Sequence, residues 1–463
     1  MGLELKGRKV LVLGLGDTGV SMARWLSRQG ALVSVADTRA VPPHASQLAS
    51  EWPHVRLRTG AFQREDFDAA DMIAVSPGID LRLGEPAAAI QRGMPMVGDV
   101  ELFAQTLSER EDAARVIAVT GSNGKSTVTA MCGAMCAASG QDAVMAGNIG
   151  LPVLDVMMQI EDAENMRRMP DIFVLELSSF QLETTASLMP VAATMLNLCE
   201  DHMDRYDSFN DYGAAKARIF AGGGVQVLNR DDAHSMALAL DGRQVLTFGL
   251  SSPQSHREWG LSGKGTSQTL AQGDTALMPV AELPLAGLHN AANALAAAAL
   301  CSVAGVSHAA MASALRAFSG LPHRVEKINK IKDIEFYDDS KGTNVGATVA
   351  ALAGMQQPVV LIAGGDGKGQ DFSPLATVAA HARAVVLIGR DANLIARALQ
   401  STGVALLRAA DMPEAVALAY DAAKPGDAVL LSPACASYDM FRNYVHRAEV
   451  FVAAVQQLAR QVS

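Results

Sequence analysis

The sequence is short of the features that mark a secreted, membrane-embedded or nucleic-acid-binding chain. Cysteine is scarce: Cys132, Cys136, Cys199, Cys301 and Cys435 are scattered through 463 residues, odd in number and with no C-x-x-C pair. That pattern excludes a disulfide framework and points to free thiols in a reducing compartment. No apolar run approaches the ~20 residues a membrane helix needs. The stretch Val10-Leu11-Val12-Leu13 is broken at once by Gly14 and Gly16, so it reads as a buried strand rather than a signal-peptide core. Basic residues do not dominate either. Against 38 Lys and Arg stand 48 Asp and Glu, a net charge of -10, which argues against a nucleic-acid partner. It leaves room for a small anion, which backbone amides and single lysines can hold. A cytoplasmic protein with no membrane insertion is expected.

What the chain does contain is ordinary globular composition, 49% hydrophobic and 19% charged, at a length that predicts roughly two to four domains. Short apolar runs alternate with helical patterns. Lys9–Leu13, Leu32–Ala36 and Met72–Val75 read as strands, with a helix at Val20–Arg28. A second unit opens near Arg115, with strands at Val116–Val119, Ile172–Leu175, Ala193–Leu196 and Val225–Leu228. The polar segment Ser251–Gly273 is a hairpin region or an exposed excursion, and a helix at Asn290–Val303 closes the unit. After Gly320-Leu321-Pro322 a third unit has strands at Ile334–Tyr337, Val359–Ala363, Ala384–Ile388 and Ala428–Leu431. The reading is an α/β chain of three domains, over residues 1–107, 108–320 and 321–463.

The strongest chemical signal is Gly121-Ser122-Asn123-Gly124-Lys125-Ser126-Thr127, a glycine loop between a strand and a helix. Its backbone amides and the helix N-terminus suit phosphate oxygens. Lys125 would neutralise the β- and γ-phosphates, and the Ser126 hydroxyl would ligate magnesium. The usual leading glycine is replaced by Val119, so the loop is a shortened variant of a P-loop. A second motif, Gly14-Leu15-Gly16-Asp17-Thr18-Gly19, followed by Asp37 at the end of the next strand, is open to three readings. These are an NAD site, a uridine diphosphate site, or tight packing with no ligand. Glu176 and Glu200-Asp201-His202-Met203-Asp204 follow strands and can supply metal ligands beside the loop. In the third unit Asp338–Asn344, Gly364–Gly369 and Ser432–Ser437 each follow a strand, where α/β sheets form ligand crevices.

In this order the motifs, joined by Gly147–Gly150, Leu175–Leu182, His289–Asn293 and Leu321–Arg324, resemble the Mur ligases of bacterial cell-wall synthesis along essentially the whole chain. The resemblance implies a Rossmann-like N-terminal domain for a UDP-sugar, a central P-loop ATPase domain and a C-terminal Rossmann-like domain for the incoming amino acid. Within the family the D-glutamate-adding branch matches best. It implies ATP and two Mg2+ ions as cofactors, with UDP-N-acetylmuramoyl-L-alanine and D-glutamate as substrates, and a monomer. The substrate carboxylate would be phosphorylated and the acyl phosphate attacked by the D-glutamate amine. Ser126 and Glu176 would hold one magnesium, His202 and a carbamylated Lys216 the second; without the resemblance, Lys216 reads as a solvated helix residue. Asn290, Asn293, Arg324 and Asp339 would contact nucleotide, and Asp17, Thr18, Thr38, Arg39, Ser76 and Gly78 the uridine diphosphate. Asn148 would meet the sugar-peptide, and Lys341, Thr343, Lys368, Ser437, Tyr438 and Tyr444 the amino-acid pocket. Tyr444 departs from a frequent phenylalanine, Gly342 from a common alanine, and Ala448 from a glycine. The rivals are a sister Mur or folylpolyglutamate-type ligase with another amino acid, and an NAD-dependent oxidoreductase. The Asn-Pro-Arg signature of diamino-acid-adding enzymes is missing.

Overall fold

The computed structural model describes residues 4–162, 168–285 and 287–462, which build three sheets. The first has β1 (Lys9–Leu13), β2 (Leu32–Asp37), β3 (Arg56–Thr59), β4 (Met72–Val75) and β5 (Met96–Val97), ordered β3-β2-β1-β4-β5 and parallel throughout. That order reverses direction between β1 and β4, so a crevice opens at their carboxyl ends, where Gly14–Gly19 and Ser76–Gly78 lie.

The central sheet is larger. Its strands are β6 (Arg115–Thr120), β7 (Ala143–Gly147), β8 (Ile172–Glu176), β9 (Ala192–Met195), β10 (Val225–Asn229), β11 (Val245–Phe248), β12 (Glu258–Ser262), β13 (Thr269–Gln272) and β14 (Thr275–Pro279). The order is β14-β13-β12-β11-β10-β9-β6-β8-β7, parallel except for the antiparallel pairs β12–β13 and β13–β14. The polar segment after Ser251 is therefore a hairpin region, anchored by a fully buried Trp259. The alanine-rich helix Leu288–Val303 packs on the helix Lys125–Ala138; small side chains allow this close approach behind the glycine loop.

The third sheet has β15 (Glu326–Ile331), β16 (Ile334–Asp338), β17 (Val359–Gly364), β18 (Ala382–Ile388), β19 (Ala405–Arg408) and β20 (Ala428–Leu431), ordered β15-β16-β20-β17-β18-β19. Only β15 runs antiparallel to its neighbour. It is an exposed edge strand whose charged sequence carries no clear alternation, and the sequence reading misses it. Lys332 and Asp333 turn it into β16 with φ of 43° and 68°, the two positive values a tight hairpin needs.

The first two sheets share one apolar core. Trp25 and Phe103 belong to the same buried cluster as Phe173 and Tyr212, and the Phe103 and Phe173 rings meet edge to face at 5.0 Å. The third sheet has its own cores on its two faces and meets the central unit through polar contacts described below.

Candidate active site

The loop after β6 is held open by the segment after β9. Ser122 N donates to Asn197 O, Asn123 N to Asn197 Oδ1 at 2.9 Å, and Asn197 Nδ2 returns a bond to Asn123 O. Gly124 has φ 83°, and a Cβ there would sit 2.6 Å from Asn293 Oδ1; both the turn and the neighbouring amide demand glycine. Lys125 Nζ curls back onto the carbonyls of Gly121 and Ser122, each at 2.9 Å.

Beside this loop lies a carboxylate with half its capacity unused. Glu176, 1% exposed at the end of β8, accepts from Asn148 Nδ2 at 2.8 Å through Oε1, while Oε2 is buried without a hydrogen-bond partner. An orphaned carboxylate oxygen next to a phosphate loop fits a magnesium ligand. His202 stands across the cavity in a left-handed backbone conformation (φ 58°), its ring edge-to-face on Phe180. Burial lowers its pKa to about 4 against the pull of Asp201, so its ring is neutral and free to donate a lone pair. Lys216, on the helix Phe209–Ala217, is 2% exposed and reaches Gly121 O at 2.9 Å from behind the loop. Burial first, and the nearby Lys125 second, hold it well below the usual lysine pKa. These donors fit magnesium and a phosphate chain: an oxygen with no partner, a neutral imidazole, a hydroxyl at the helix start and a lysine at the loop.

The third sheet closes over this site. Arg324 Nη2 and Lys341 Nζ both donate to Ser126 Oγ, at 3.0 and 3.1 Å. Lys368 forms an ion pair with buried Asp201, and Asn344 Nδ2 bonds both Asn123 Oδ1 and Asp201 Oδ2. Asp201 is drawn down to about 2: burial alone would raise it, but Lys368 and His202 outweigh burial. Buried Asp339 is pushed up to about 7 and accepts from Ser432 Oγ at 2.6 Å. The result is a cavity of about 590 Å³ whose walls come from all three sheets: Gly78 and Asp80 from the first, the loop and Glu176 from the second, Lys341, Lys368 and Ser437 from the third.

Residues 8–98 match the Mur ligase MurD-like N-terminal domain, 119–301 the Mur ligase middle domain and 323–435 the Mur ligase glutamate ligase domain. The chain belongs to the Mur ligase family. A UDP-N-acetylmuramoylalanine--D-glutamate ligase of Thiobacillus denitrificans is 57% identical over 471 residues, covering 99% of this chain and 98% of that one. One of Methylobacillus flagellatus is 57% identical over 460 residues, covering 99% of each. Among solved structures, MurF from Acinetobacter baumannii covers 97% of this chain and 93% of its own, with a TM-score of 0.61 at 17% identity. The UDP-N-acetylmuramate-alanine ligase of Thermotoga maritima gives 0.59 at 19%, covering 97% and 99%. At these identities the structural likeness is one of fold.

Most of the expected Mur ligase site residues converge. Ser122, Asn123, Lys125, Asn148, Glu176, His202, Arg324, Thr343, Tyr438 and Tyr444 line the main cavity with those already named. A side cavity gathers Gly124, Thr127, Asn290, Asn293, Arg324 and Asp339, together with His289. A third, of about 550 Å³, holds Asp17 and Thr18 and shares Asn148, Lys341 and Tyr444 with the first. One expectation needs correcting, that of Lys216, and three site residues lie apart from these cavities. Thr38 and Arg39 are exposed and line none of these cavities. Arg39 pairs with Asp37, which also accepts from Leu15 N at 2.7 Å and so buttresses the glycine loop. Ser76 Oγ donates to Gly14 O at 2.9 Å, a structural bond. Lys216 is buried, not solvated. Sequence reasoning assigned no role to Asn344, Phe180 or Arg205. Asn344 carried a signal, since it ends the Asp338–Asn344 loop and caps the next helix.

Proposed function

We propose that this Mur ligase joins D-glutamate to UDP-N-acetylmuramoyl-L-alanine at the expense of ATP, in the synthesis of peptidoglycan precursors for the cell wall. The observation that carries the reading is the single cavity with walls from all three sheets, flanked by two others that share residues with it. It lets a nucleotide-sugar from one side, ATP from another and an amino acid from the third meet at one point. The proposed domains are 1–107, 108–320 and 321–463, acting as a cytoplasmic monomer; no helix among the described residues is long and apolar enough to cross a membrane.

Carboxylate oxygen is a poor leaving group, so the chain must first hold the γ-phosphate against the carboxylate and then admit an amine. Lys125 and the loop amides take the phosphate chain, where fixed charge stabilises the transferring group. Ser126, Glu176, His202 and Lys216 would hold two magnesium ions, which supply charge neutralisation for the phosphates. Asn148, tied to Glu176, places the sugar-peptide end next to the loop. Arg324, Asn290, Asn293 and Asp339 are assigned to the nucleotide. Lys341, Thr343, Lys368, Ser437, Tyr438 and Tyr444 are assigned to D-glutamate, whose two carboxylates suit paired lysines. Burial of Lys341 lowers its pKa to about 8, which leaves it mostly cationic near neutrality. The closed third sheet keeps water from the acyl phosphate.

Phosphate release measured with ATP, magnesium, UDP-N-acetylmuramoyl-L-alanine and a panel of amino acids tests this. Turnover should appear with D-glutamate. Preference for L-alanine, a diamino acid or a dipeptide would move the chain to a sister activity.

A further inference from the structure

The cavity of about 550 Å³ at the first glycine loop contains a histidine that the functional reading above does not use. His44 ends the connection after β2 and starts the helix Ala45–Glu51. Its Nε2 lies 2.7 Å from Asp17 Oδ1 and its Nδ1 lies 3.1 Å from Gln47 Oε1. The orientation of the Gln47 amide is fixed from its other end, because Nε2 donates to Glu51 Oε1 at 2.9 Å. Residues 44, 47 and 51 fall on one helical row, so the relay follows from sequence spacing. Both ring nitrogens thus face oxygens placed to accept, and a ring with a proton on each nitrogen would satisfy both contacts.

Its partner Asp17 opens the helix Asp17–Arg28. The residue before it is Gly16, which has no side chain with which to cap the helix. Asp17 is 85% exposed on the wall of the cavity assigned to the nucleotide-sugar. A free carboxylate there would repel a diphosphate. Arg24, the nearest cation on the same helix, is committed elsewhere: it bonds Asp155 at 3.0 Å, stacks over Trp52, and lies 3.9 Å from Glu51.

We propose that His44 is a specificity-determining residue for the nucleotide-sugar: as an imidazolium oriented by Gln47, it neutralises the Asp17 carboxylate so that the cavity accepts a nucleoside diphosphate. This rests on the function proposed above. The charge on His44 depends on Asp17, Gln47, Glu51 and, through Glu51, Arg24; no other element needs to move.

Two measurements on the full-length enzyme decide it. Ring-nitrogen NMR of 15N-histidine-labelled protein, assigned by loss of signal in His44→Gln, should show both His44 nitrogens protonated at neutral pH. In steady-state assays His44→Ala and His44→Gln should raise KM for UDP-N-acetylmuramoyl-L-alanine about fivefold, leaving kcat and the KM for D-glutamate within about twofold. Asp17→Asn in the same chain should remove most of that rise, because the repelling charge is gone. A purely structural role for His44 would leave the defect in place in the double variant. An unprotonated ring nitrogen, an unchanged KM, or a rise that Asp17→Asn does not relieve overturns the proposal. A parent enzyme with no turnover on these substrates overturns the functional reading instead, and the ring-nitrogen spectrum still decides the state of His44.

Discussion

Lys125 and Lys216 donate to the same acceptor, the Gly121 carbonyl oxygen, each from 2.9 Å. Burial first, and repulsion by the neighbouring Lys125 second, lower the Lys216 pKa well below the usual lysine value and so favour its neutral amine. A neutral amine is a nucleophile. It can add to the carbon of CO2, forming an N–C bond and releasing one proton to leave an anionic carbamate. Enzyme equilibrated with 13C-bicarbonate should show a carbamate resonance that is missing in Lys216→Ala. That variant should lose about 10- to 100-fold in activity or more and regain part of it with added formate or acetate. A fully active variant would refute the role.

The ion pair between Lys368 and Asp201 bridges the second and third sheets, with side chains 10% and 8% exposed. Deleting one partner leaves a buried charge uncompensated, at about 3–5 kcal/mol. The chain can escape that cost by parting the two units. Lys368→Met should therefore increase the radius of gyration seen by X-ray scattering and raise KM for D-glutamate. Because the Asp201 pKa in the closed state, about 2, lies below its ordinary 3.8, the contact contributes fully above about pH 4. It is lost as pH falls through about 2. An unchanged scattering profile in Lys368→Met would remove the latch from consideration.

Asp99 offers a pH test with the opposite sign. It is 1% exposed, accepts from Gln181 Nε2 at 3.3 Å through Oδ2, and its Oδ1 is buried without a partner. Burial pushes its pKa up to about 6 from 3.8. An acid whose folded pKa is raised favours the folded state at low pH, and that advantage disappears as pH rises from about 4 through 6. Asp99→Asn should be more stable than the parent at pH 7.5 by up to about 3 kcal/mol in denaturant melts, with no gain at pH 4. Equal differences at both pH values would contradict the assignment.

Much of this site could be read from the chain because its parts are local. A strand that stops at Val75 or Leu431 delivers whatever follows it to the carboxyl edge of its sheet, so the loops could be named before their neighbours were known. What could not be read is what arrives from far away. Arg324 finds Ser126 across 198 residues, and no periodicity encodes that meeting. Lys216 looks solvated because its helix has little amphipathic pattern, and only the packing of that helix behind the glycine loop buries it. Arg39 and Ser76 form contacts that are equally hidden from the sequence. Both sit beside the first crevice in sequence, but their hydrogen-bonding groups are consumed by Asp37 and Gly14.

The separation of the third sheet from the other two has an evolutionary consequence. Residues assigned to the phosphoryl-transfer step lie between 119 and 216 plus a few cations, while those assigned to the amino acid lie between 341 and 444. The third unit has its own cores and touches the second chiefly through polar contacts. Substitutions that reshape its pocket therefore need not disturb the packing around the phosphate loop. A lineage built on this plan can change the amino acid it installs by drift within one module, while the energy-coupling half is inherited intact.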